Sequence, residues 1–252
     1  MKKQRIDILL FSSGLVESRN KAQRLVMAGE VEVEGQLVHK PSELFEPTCR
    51  ITLRSKPKYV SRGGLKLEKA INEFHIDDIE DKICVDIGAS TGGFTDCLLQ
   101  HGAIKVYSID VGFGQLHQSL RDDPRVVEME RVNVKDVGKI PDPVDLVTID
   151  VSFISVKRIL PIIKIWANKK IIRVIALIKP QFEVGRIIAA KGKGVVRDKK
   201  ERDKVVNEIL NFAKDEGFDV LAVTESPITG PKGNVEFLAH LLFDPVKKNE
   251  EK

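Results

Sequence analysis

Cysteine is scarce in this sequence of 252 residues, which contains three copies of it. The number of cysteines is odd, and two of the three residues lie inside apolar runs. They are Cys49, Cys84 and Cys97. Disulfide frameworks and metal cages need cysteines in pairs or in closely spaced groups. We therefore expect neither a disulfide scaffold nor a metal site, and a reducing cytoplasm is the simplest location for the protein.

Long hydrophobic runs are also absent. The apolar stretch after the basic start of the chain, residues 8–11, is too short for a signal peptide. Lys164 and Arg173 interrupt the most apolar segments, 159–165 and 171–178, and both fall well short of the roughly 18 residues that cross a bilayer. The sequence therefore predicts neither export nor a membrane-spanning segment.

The excess of positive charge is confined to the beginning of the chain. Residues 1–60 contain 11 Lys and Arg against 7 Asp and Glu, whereas residues 61–252 contain 30 of each kind. Clustered cations are typical of a module that binds nucleic acid, because they displace the counterions condensed on it. An ordinary solvated surface is the alternative.

The pattern of this first quarter predicts two short helices followed by a β-hairpin. Helical spacing covers residues 5–12, and Ser18 is suited to cap a second helix that runs to Ala28. Residues 30–38 then alternate charged and apolar side chains around a Glu34-Gly35 turn. The quarter is therefore expected to fold as a small α+β domain.

The phrase R-N-K-A-Q-R-L-V-M-A-G-E-V-E-V-E-G, from Arg19 to Gly35, resembles the S4 RNA-binding domain. We expect this domain to span residues 1–55, followed by a short stiff linker at 56–60 that contains Lys-Pro-Lys. The cations expected to face RNA in it are Arg5, Arg19, Lys21 and Arg24.

Residues 61–245 have the alternation of an α/β domain. A helical pattern over about 61–75 is followed by strands separated by helices or loops, which predicts a mostly parallel sheet covered on both faces. The last two strands are joined by a short loop with Pro and Gly, so they should form an antiparallel pair at the sheet edge. The predicted strands are 83–87, 105–109, 125–129, 146–149, 171–177, 220–225 and 235–242, and a charged tail, 246–252, follows. Seven strands in this arrangement are typical of the Rossmann-like methyltransferase fold.

The clearest binding motif is a strand that enters a glycine-rich turn, residues 85–94. Glycine lets the backbone approach a cofactor, and a carboxylate at the strand end can receive a cationic partner. The turn lacks the Gly-x-Gly pair that wraps a dinucleotide pyrophosphate, and a purely connecting turn is the alternative. Asp110 is expected to bind ribose hydroxyls, and Asn133 is expected to contact the edge of an adenine ring. The candidate cofactor-binding residues are Asp86, Gly88, Ala89, Ser90, Thr91, Gly92, Gly93, Phe94, Asp110 and Asn133.

The residues near the acceptor side favour methylation of an oxygen. The fourth strand is not followed by an Asn-Pro-Pro-Tyr motif of the kind that holds a planar amino group. Neither Cys84, in a strand, nor Cys97, in a helix, lies in a loop suited to covalent attack on a pyrimidine ring. An oxygen acceptor, such as a ribose hydroxyl, is the remaining possibility.

A hydroxyl becomes a good nucleophile when a base removes its proton. Lys179 can act as that base only if its pKa lies well below the ordinary value of about 10.4. Burial and a second lysine, Lys66, both act in that direction. Asp150 and Glu236 would orient the amines, although each charged residue taken alone is more simply a surface charge.

Over residues 3–245 the chain resembles the TlyA (hemolysin A) family, in which an S4 domain precedes an FtsJ-type ribose methyltransferase domain. The resemblance rests on phrases at 59–64, 86–95, 150–155, 179–183 and 230–237. It implies S-adenosylmethionine as methyl donor and 2′-O-methylation of cytidine in ribosomal RNA of the small subunit, the large subunit or both. It places the family's Lys-Asp-Lys-Glu tetrad on Lys66, Asp150, Lys179 and Glu236. Val-Ser-Phe after Asp150 replaces a Pro-containing loop of the wider FtsJ group, so acceptor positioning is expected to differ from that group.

A second basic segment, residues 191–204, is rich in Lys, Arg and Gly. We expect it to form an RNA-facing loop that leads into a helix, with Lys191, Lys193 and Arg197 contacting RNA. A solvated helix start is the alternative.

Three rival functions belong to other classes. A membrane-lytic protein would need a spanning or strongly amphipathic helix, which the sequence does not offer. A non-catalytic RNA-binding protein would not need the complete glycine-rich motif, and a nicotinamide-dependent dehydrogenase would need a different glycine spacing. The oligomeric state and the modified nucleotide are left open by the sequence.

Overall fold

A computed structural model describes residues 3–54, 57–167, 170–184 and 194–247 of the protein. The chain divides into two compact units, Met1–Lys58 and Tyr59–Lys252. Each unit has its own hydrophobic core.

The first unit contains the two helices and the hairpin that the sequence predicts. The Ser18 side chain accepts a hydrogen bond from the backbone N–H of Lys21 at 3.2 Å, as an N-cap should. Glu34 and Gly35 both have positive φ, which suits a two-residue hairpin turn. The elements are β1 (Gln4–Arg5), α1 (Ile6–Ser12), α2 (Arg19–Met27), β2 (Val31–Val33), β3 (Gln36–Leu37), β4 (Leu44–Phe45) and β5 (Ile51–Leu53).

Three further strands of this unit were not predicted from the sequence. β1 pairs antiparallel with β4, and β5 adds to the outer side of β2, so that β3, β2 and β5 form a three-stranded sheet. These strands are two or three residues long, which is too short to produce a recognisable period of two. A core that includes Ile6, Leu10, Ala22, Val26 and Val31 closes the unit.

The second unit is built on a seven-stranded sheet in the order β11-β12-β10-β9-β6-β7-β8. β8, β7, β6, β9 and β10 run parallel, whereas β12 is antiparallel to both β10 and β11. The predicted α/β fold class and the antiparallel pair at the edge are confirmed. The elements are α3 (Gly63–Glu73), β6 (Ile83–Ile87), α4 (Gly93–Gln100), β7 (Lys105–Ile109), α5 (Gln118–Arg121), β8 (Val126–Met129), β9 (Leu146–Ile149), α6 (Leu160–Trp166), β10 (Ile172–Ile178), α7 (Pro180–Glu183), α8 (Lys199–Asp215), β11 (Phe218–Glu225) and β12 (Phe237–Phe243).

The central strands are buried on both faces. Adjacent residues of β6 illustrate this, because Cys84 belongs to the core on one side of the sheet and Val85 to the core on the other. Helices therefore cover both faces, as the near-continuous apolar runs of these strands require. The carboxyl ends of β10, β9, β6 and β7 lie side by side, and the loops that follow them meet at one edge of the sheet.

Every described helix is too short or too polar to cross a membrane. The basic segment leads into α8 as expected, and Asp198 caps that helix by accepting a hydrogen bond from the N–H of Lys200 at 2.8 Å. Lys191 and Lys193 lie outside the described residues.

Candidate active site

The glycine-rich turn after β6 is held against the end of β9. Gly88 has φ of +85°, and a Cβ at this position would lie 2.5 Å from the carbonyl oxygen of Asp150. A side chain here would therefore be strained and would push the two loops apart. The sequence places glycine at a point where the loops after β6 and β9 pack closely together.

Asp110, at the end of β7, holds the same turn from the other side. Its carboxylate accepts hydrogen bonds from the N–H of Ser90 at 2.8 Å and from the N–H of Gly112 at 2.7 Å. Each carboxylate oxygen has two lone pairs, so both retain acceptor capacity for a ligand hydroxyl.

A cavity of about 500 Å³ lies between the turn after β6 and the loops after β7, β8 and β9. We call it the cofactor cavity. Its wall combines aliphatic side chains with a few polar groups, which is typical of a small-molecule site. Asn133 lies in this wall, where its side chain also accepts a hydrogen bond from the N–H of Lys135. The lining residues are Ile87, Gly88, Ser90, Ile109, Asp110, Val111, Gln115, Val132, Asn133, Val134, Asp150, Val151, Ser152, Phe153, Ile154 and Ile159.

Two predicted cofactor residues, Asp86 and Gly92, line neither this cavity nor a second one on the other side of the glycine-rich turn. Asp86 is completely buried, and its carboxylate accepts hydrogen bonds from the hydroxyls of Thr95 at 2.7 Å and Thr148 at 2.9 Å. Burial raises the pKa of this carboxyl to about 6. Asp86 thus has hydroxyl partners in place of the expected cation, because it points into the protein below the turn.

Gly92 also acts behind the turn. A Cβ there would lie 2.2 Å from a methyl group of Leu120, and the residue has φ of +97° at the start of α4. Glycine at this position lets the turn pack closely on α5. Any effect of Asp86 or Gly92 on a ligand is therefore exerted through the shape of the turn.

A second cavity, of about 310 Å³, opens on the other side of the glycine-rich turn. We call it the acceptor cavity. It shares Gly88, Ser90, Asp150 and Ser152 with the cofactor cavity, so the two meet at the ends of β6 and β9. Its lining residues are Ser61, Arg62, Gly63, Lys66, Gly88, Ala89, Ser90, Thr91, Gly93, Phe94, Asp150, Ser152, Lys179, Ile228, Thr229, Gly230 and Pro231.

The four predicted catalytic residues form two ion pairs at this cavity. Nζ of Lys179 lies 2.5 Å from Oδ1 of Asp150, and Nζ of Lys66 lies 2.6 Å from Oε2 of Glu236. The two lysines and Glu236 are buried, with Glu236 only 1% exposed. Lys66, Asp150 and Lys179 line the cavity, while Glu236 lies behind Lys66 and against Gly230. The structure therefore brings together four residues that come from distant parts of the chain.

Two polar residues that the sequence pattern did not mark extend these pairs. Nζ of Lys179 donates a hydrogen bond to Oγ of Ser152 at 3.1 Å. The side-chain amide of Gln181 donates to Oε1 of Glu236 at 3.3 Å, and its own buried carbonyl oxygen has no hydrogen-bond partner in the described part of the chain. Both residues lie in the motifs at 150–155 and 179–183, but spacing alone does not indicate which side chains of a motif turn inward.

An exposed aromatic side chain stands beside the same residues. Phe153 is 90% exposed, has φ of +64° and lines the cofactor cavity. Its ring centroid lies 4.8 Å from that of Phe182, which follows Lys179 by one turn. Residues with strained backbone conformations cluster at active sites and ligand-binding segments, and the exposed ring of Phe153 is available to a ligand there.

Glu183 ties this loop to α7. Its carboxylate accepts a hydrogen bond from the N–H of Val156 at 2.8 Å, and burial raises its pKa. The loop that carries Asp150, Ser152 and Phe153 is therefore attached at its far end to the segment that carries Lys179.

The cations expected to bind RNA differ in how they are held. Arg5 and Arg19 both bond to the buried carboxylate of Asp7, and Lys21 forms an exposed pair with Glu17 at 3.0 Å. Arg24 and Arg197 are exposed. Within the described ranges, no group of three or more His, Cys, Asp or Glu residues is arranged to hold a metal ion.

Family models match both units of the chain. Residues 59–243 match the FtsJ-like methyltransferase model, and residues 4–48 match the S4 domain model. The two matches agree with the division into two compact units.

Three curated relatives align with 95% of this chain. Hemolysin A of Brachyspira hyodysenteriae is 48% identical over 100% of its own length. The putative rRNA methyltransferase YqxC of Bacillus subtilis is 47% identical over 86% of its length. The 16S/23S rRNA (cytidine-2′-O)-methyltransferase TlyA of Mycobacterium tuberculosis is 41% identical over 90% of its length.

A solved structure is similar over the full length of both chains. It is described as a putative hemolysin from Streptococcus thermophilus, with a TM-score of 0.70 and 43% sequence identity. A putative S-adenosylmethionine-dependent methyltransferase from Listeria monocytogenes shares the fold of 71% of this chain, with a TM-score of 0.52 and 18% identity.

Proposed function

Because this chain belongs to the TlyA (hemolysin A) family, with an S4 domain ahead of an FtsJ-like methyltransferase domain, we propose that it methylates ribosomal RNA. The proposed reaction transfers a methyl group from S-adenosylmethionine to the 2′-hydroxyl of a cytidine ribose. One observation carries the proposal, which is that two lysines, each paired with a carboxylate, line one cavity together with the glycine-rich turn. A ribosomal substrate would place the protein in the cytoplasm.

The cofactor cavity fits the chemistry of S-adenosylmethionine. Aliphatic residues such as Ile109 and Val134 suit the faces of an adenine, and Asn133 supplies a polar group at its edge. The carboxylate of Asp110 suits the ribose hydroxyls because its oxygens retain acceptor capacity. When bound, S-adenosylmethionine supplies an electrophilic methyl group, and the turn at Gly88 lies where the cofactor cavity opens into the acceptor cavity.

Lys179 is the proposed general base. To act as the base, Lys179 would have to be the neutral amine when the nucleotide binds. Its Nζ would then take the 2′-hydroxyl proton while the ribose oxygen receives the methyl group that bound S-adenosylmethionine would supply. Asp150, at 2.5 Å, then stabilises the ammonium that forms, and Ser152 fixes the direction of the amine. General bases of this kind typically contribute about 10²- to 10⁴-fold to the rate.

Lys66 is the proposed second contact to the nucleotide. Glu236 holds its Nζ at the cavity wall, and Gln181 holds Glu236 in turn. Arg62, which also lines the acceptor cavity, offers a further cation for the RNA backbone. Phe153 is placed to stack with a base that has left its helix, since aromatic side chains are the usual partners of unstacked bases.

Transfer of labelled methyl groups to isolated ribosomal subunits that lack the modification tests the proposal. The expected product is a 2′-O-methylated cytidine, identified by mass spectrometry. Lys179→Ala should abolish most transfer while S-adenosylmethionine still binds in calorimetry, and Lys139→Ala, at an exposed lysine of the same unit, serves as the matched control. Near-normal turnover by folded Lys179→Ala would make Lys179 the wrong base, and Asp150 would be the next candidate.

A further inference from the structure

The N-terminal unit contains a completely buried carboxylate, Asp7, that accepts several hydrogen bonds. Oδ1 of Asp7 accepts a hydrogen bond from Nε of Arg5 at 3.0 Å, and Oδ2 accepts from Nη2 of Arg5, Nε of Arg19 and Nε2 of Gln23 at 3.1, 3.0 and 2.7 Å. Burial alone would raise the pKa of this carboxyl, but the bonds from Arg5, Gln23 and Arg19 hold it well below its usual range. Asp7 is therefore a permanent anion inside a small domain.

The two arginines around this anion are each hydrogen-bonded to Asp7, while their side chains remain partly exposed to solvent. Their side chains are 39% and 49% exposed, although Asp7 between them is fully buried. The bonds to Asp7 use Nε and Nη2 of Arg5 and Nε of Arg19, so Nη1 of Arg5 and both Nη groups of Arg19 are not hydrogen-bonded to that carboxylate. Guanidinium groups are well suited to phosphate because they present several donors in a fixed plane.

Lys21 and Arg24, the other two cations expected to face RNA in this unit, have no bond to a buried carboxylate within the described residues. Lys21 pairs with Glu17 on the surface, where both side chains are largely exposed, and such pairs order a side chain weakly. Arg24 is exposed. Arg5 and Arg19 are thus distinguished from Lys21 by being fixed in one place before any partner arrives.

We propose that Asp7 is a positioning residue for RNA, which holds Arg5 and Arg19 side by side as one phosphate-binding pair on the S4 domain. The nature of the partner rests on the proposed function, whereas the arrangement of the pair rests on the four bonds to Asp7. Fixing the guanidinium groups in advance removes an entropic cost that a mobile arginine would incur on binding.

This proposal and a purely electrostatic role for Asp7 predict opposite effects of the same substitution. If Asp7 only lowered the positive charge of the surface, Asp7→Asn would remove a negative charge and tighten binding to RNA. If Asp7 positions the arginines, the same substitution releases them and weakens binding.

The test measures binding of the full chain to isolated small and large ribosomal subunits over a range of KCl concentrations. For Asp7→Asn we expect binding about 10-fold weaker than wild type, and a plot of log affinity against log salt that is less steep by about 1, as for one or two lost phosphate contacts. Unchanged or tighter binding by the folded variant would overturn the proposal. Thermal unfolding of each variant shows whether the loss follows from a damaged domain.

Lysine substitutions keep the test decisive if Asp7→Asn does not fold. Arg5→Lys and Arg19→Lys retain the positive charge but lose the planar set of guanidinium donors, so each should weaken binding to RNA. Arg24→Lys is the matched control and should leave binding unchanged. Wild-type affinity in both Arg5→Lys and Arg19→Lys would refute the positioning role. If the wild-type chain binds subunits but transfers no methyl group, the proposed function fails and the role of Asp7 stands; if it binds neither subunit, both fail.

Discussion

Adding one methyl group at Gly230 should displace the Glu236 carboxylate without substituting any charged residue. Gly230 has φ of −72° and ψ of −173°, an extended conformation that alanine adopts freely. A Cβ at this position would lie 2.1 Å from Oε1 and 2.7 Å from Cδ of Glu236. Since Cβ contacts are essentially never shorter than 3.0 Å, the carboxylate has to withdraw by about 1 Å.

The consequence follows from what Glu236 holds. Its other oxygen, Oε2, lies 2.6 Å from Nζ of Lys66, so a shift of about 1 Å disrupts this buried pair or moves Lys66 with it. A misplacement of about 1 Å typically costs on the order of 10²-fold in rate. We expect Gly230→Ala to reduce kcat for methyl transfer to ribosomal subunits by about 100-fold, with S-adenosylmethionine affinity within about 3-fold of wild type, since Glu236 does not line the cofactor cavity.

Two variants separate this steric effect from a general loss of stability. Gly138→Ala adds a methyl group where nothing lies within 4 Å and should leave kcat unchanged. Glu236→Asp shortens the acid, so in the Gly230→Ala background it should recover part of the lost rate, a coupling that a double-mutant cycle measures. Near-normal kcat in Gly230→Ala would refute the proposed role of Glu236 in holding Lys66.

Three further predictions address other residues of the same unit. Phe153→Ala should lower kcat/KM for subunits by about 5- to 100-fold, as expected for loss of one stacked base, with unchanged S-adenosylmethionine binding in calorimetry; unchanged kcat/KM would exclude stacking. Glu183→Ala should slow transfer by about 10-fold because the N–H of Val156 loses its acceptor, whereas Glu183→Gln keeps an acceptor oxygen and should be close to wild type; equal rates in the two variants would contradict this role. Burial raises the pKa of Asp86 in the folded protein from 3.8 to about 6, so the folded state binds this proton more tightly than the unfolded state does. The free energy of unfolding should therefore fall by on the order of 3 kcal/mol as the pH rises from about 4 to 6. Chemical denaturation of Asp86→Asn across this range should show that this component of the slope has gone, and an unaltered slope would mean that Asp86 does not carry it.

The sequence predicted the second unit well because its central strands are buried on both faces. Residues 83–87, 105–109 and 146–149 form strands with the expected bounds, since apolar runs of this length between glycines and charged residues have few other solutions. The strands at 44–45 and 51–53 were missed because they are held by pairing with β1 and β2, and not by a period of their own. Short strands of this kind are determined by contacts that a linear pattern does not contain.

The glycine-rich turn shows where prediction from spacing fails in the site itself. The sequence marks 85–94 as one motif, but Gly88 faces the cavities while Gly92 packs on Leu120 and Asp86 points inward to Thr95 and Thr148. The direction of each side chain depends on the backbone conformation of the turn. A motif therefore identifies the segment that meets a ligand more reliably than it identifies the atoms that do so.

Asp86 and Glu236 are both almost completely buried carboxylates, yet they differ in what they contribute. Burial raises the pKa of Asp86, and the hydrogen bonds from the Thr95 and Thr148 hydroxyls offset this effect only in part. Glu236 is bonded to Lys66, and the cost of removing two such charges from water can exceed what their pairing returns. A buried pair is therefore weak evidence of a stabilising role, and this one is better explained by what Lys66 does at the cavity wall. The partner of a buried acid, more than its burial, therefore distinguishes Asp86, which shapes the turn, from Glu236, which serves the reaction. This distinction requires the three-dimensional structure, because Lys66 and Glu236 are 170 positions apart in the sequence.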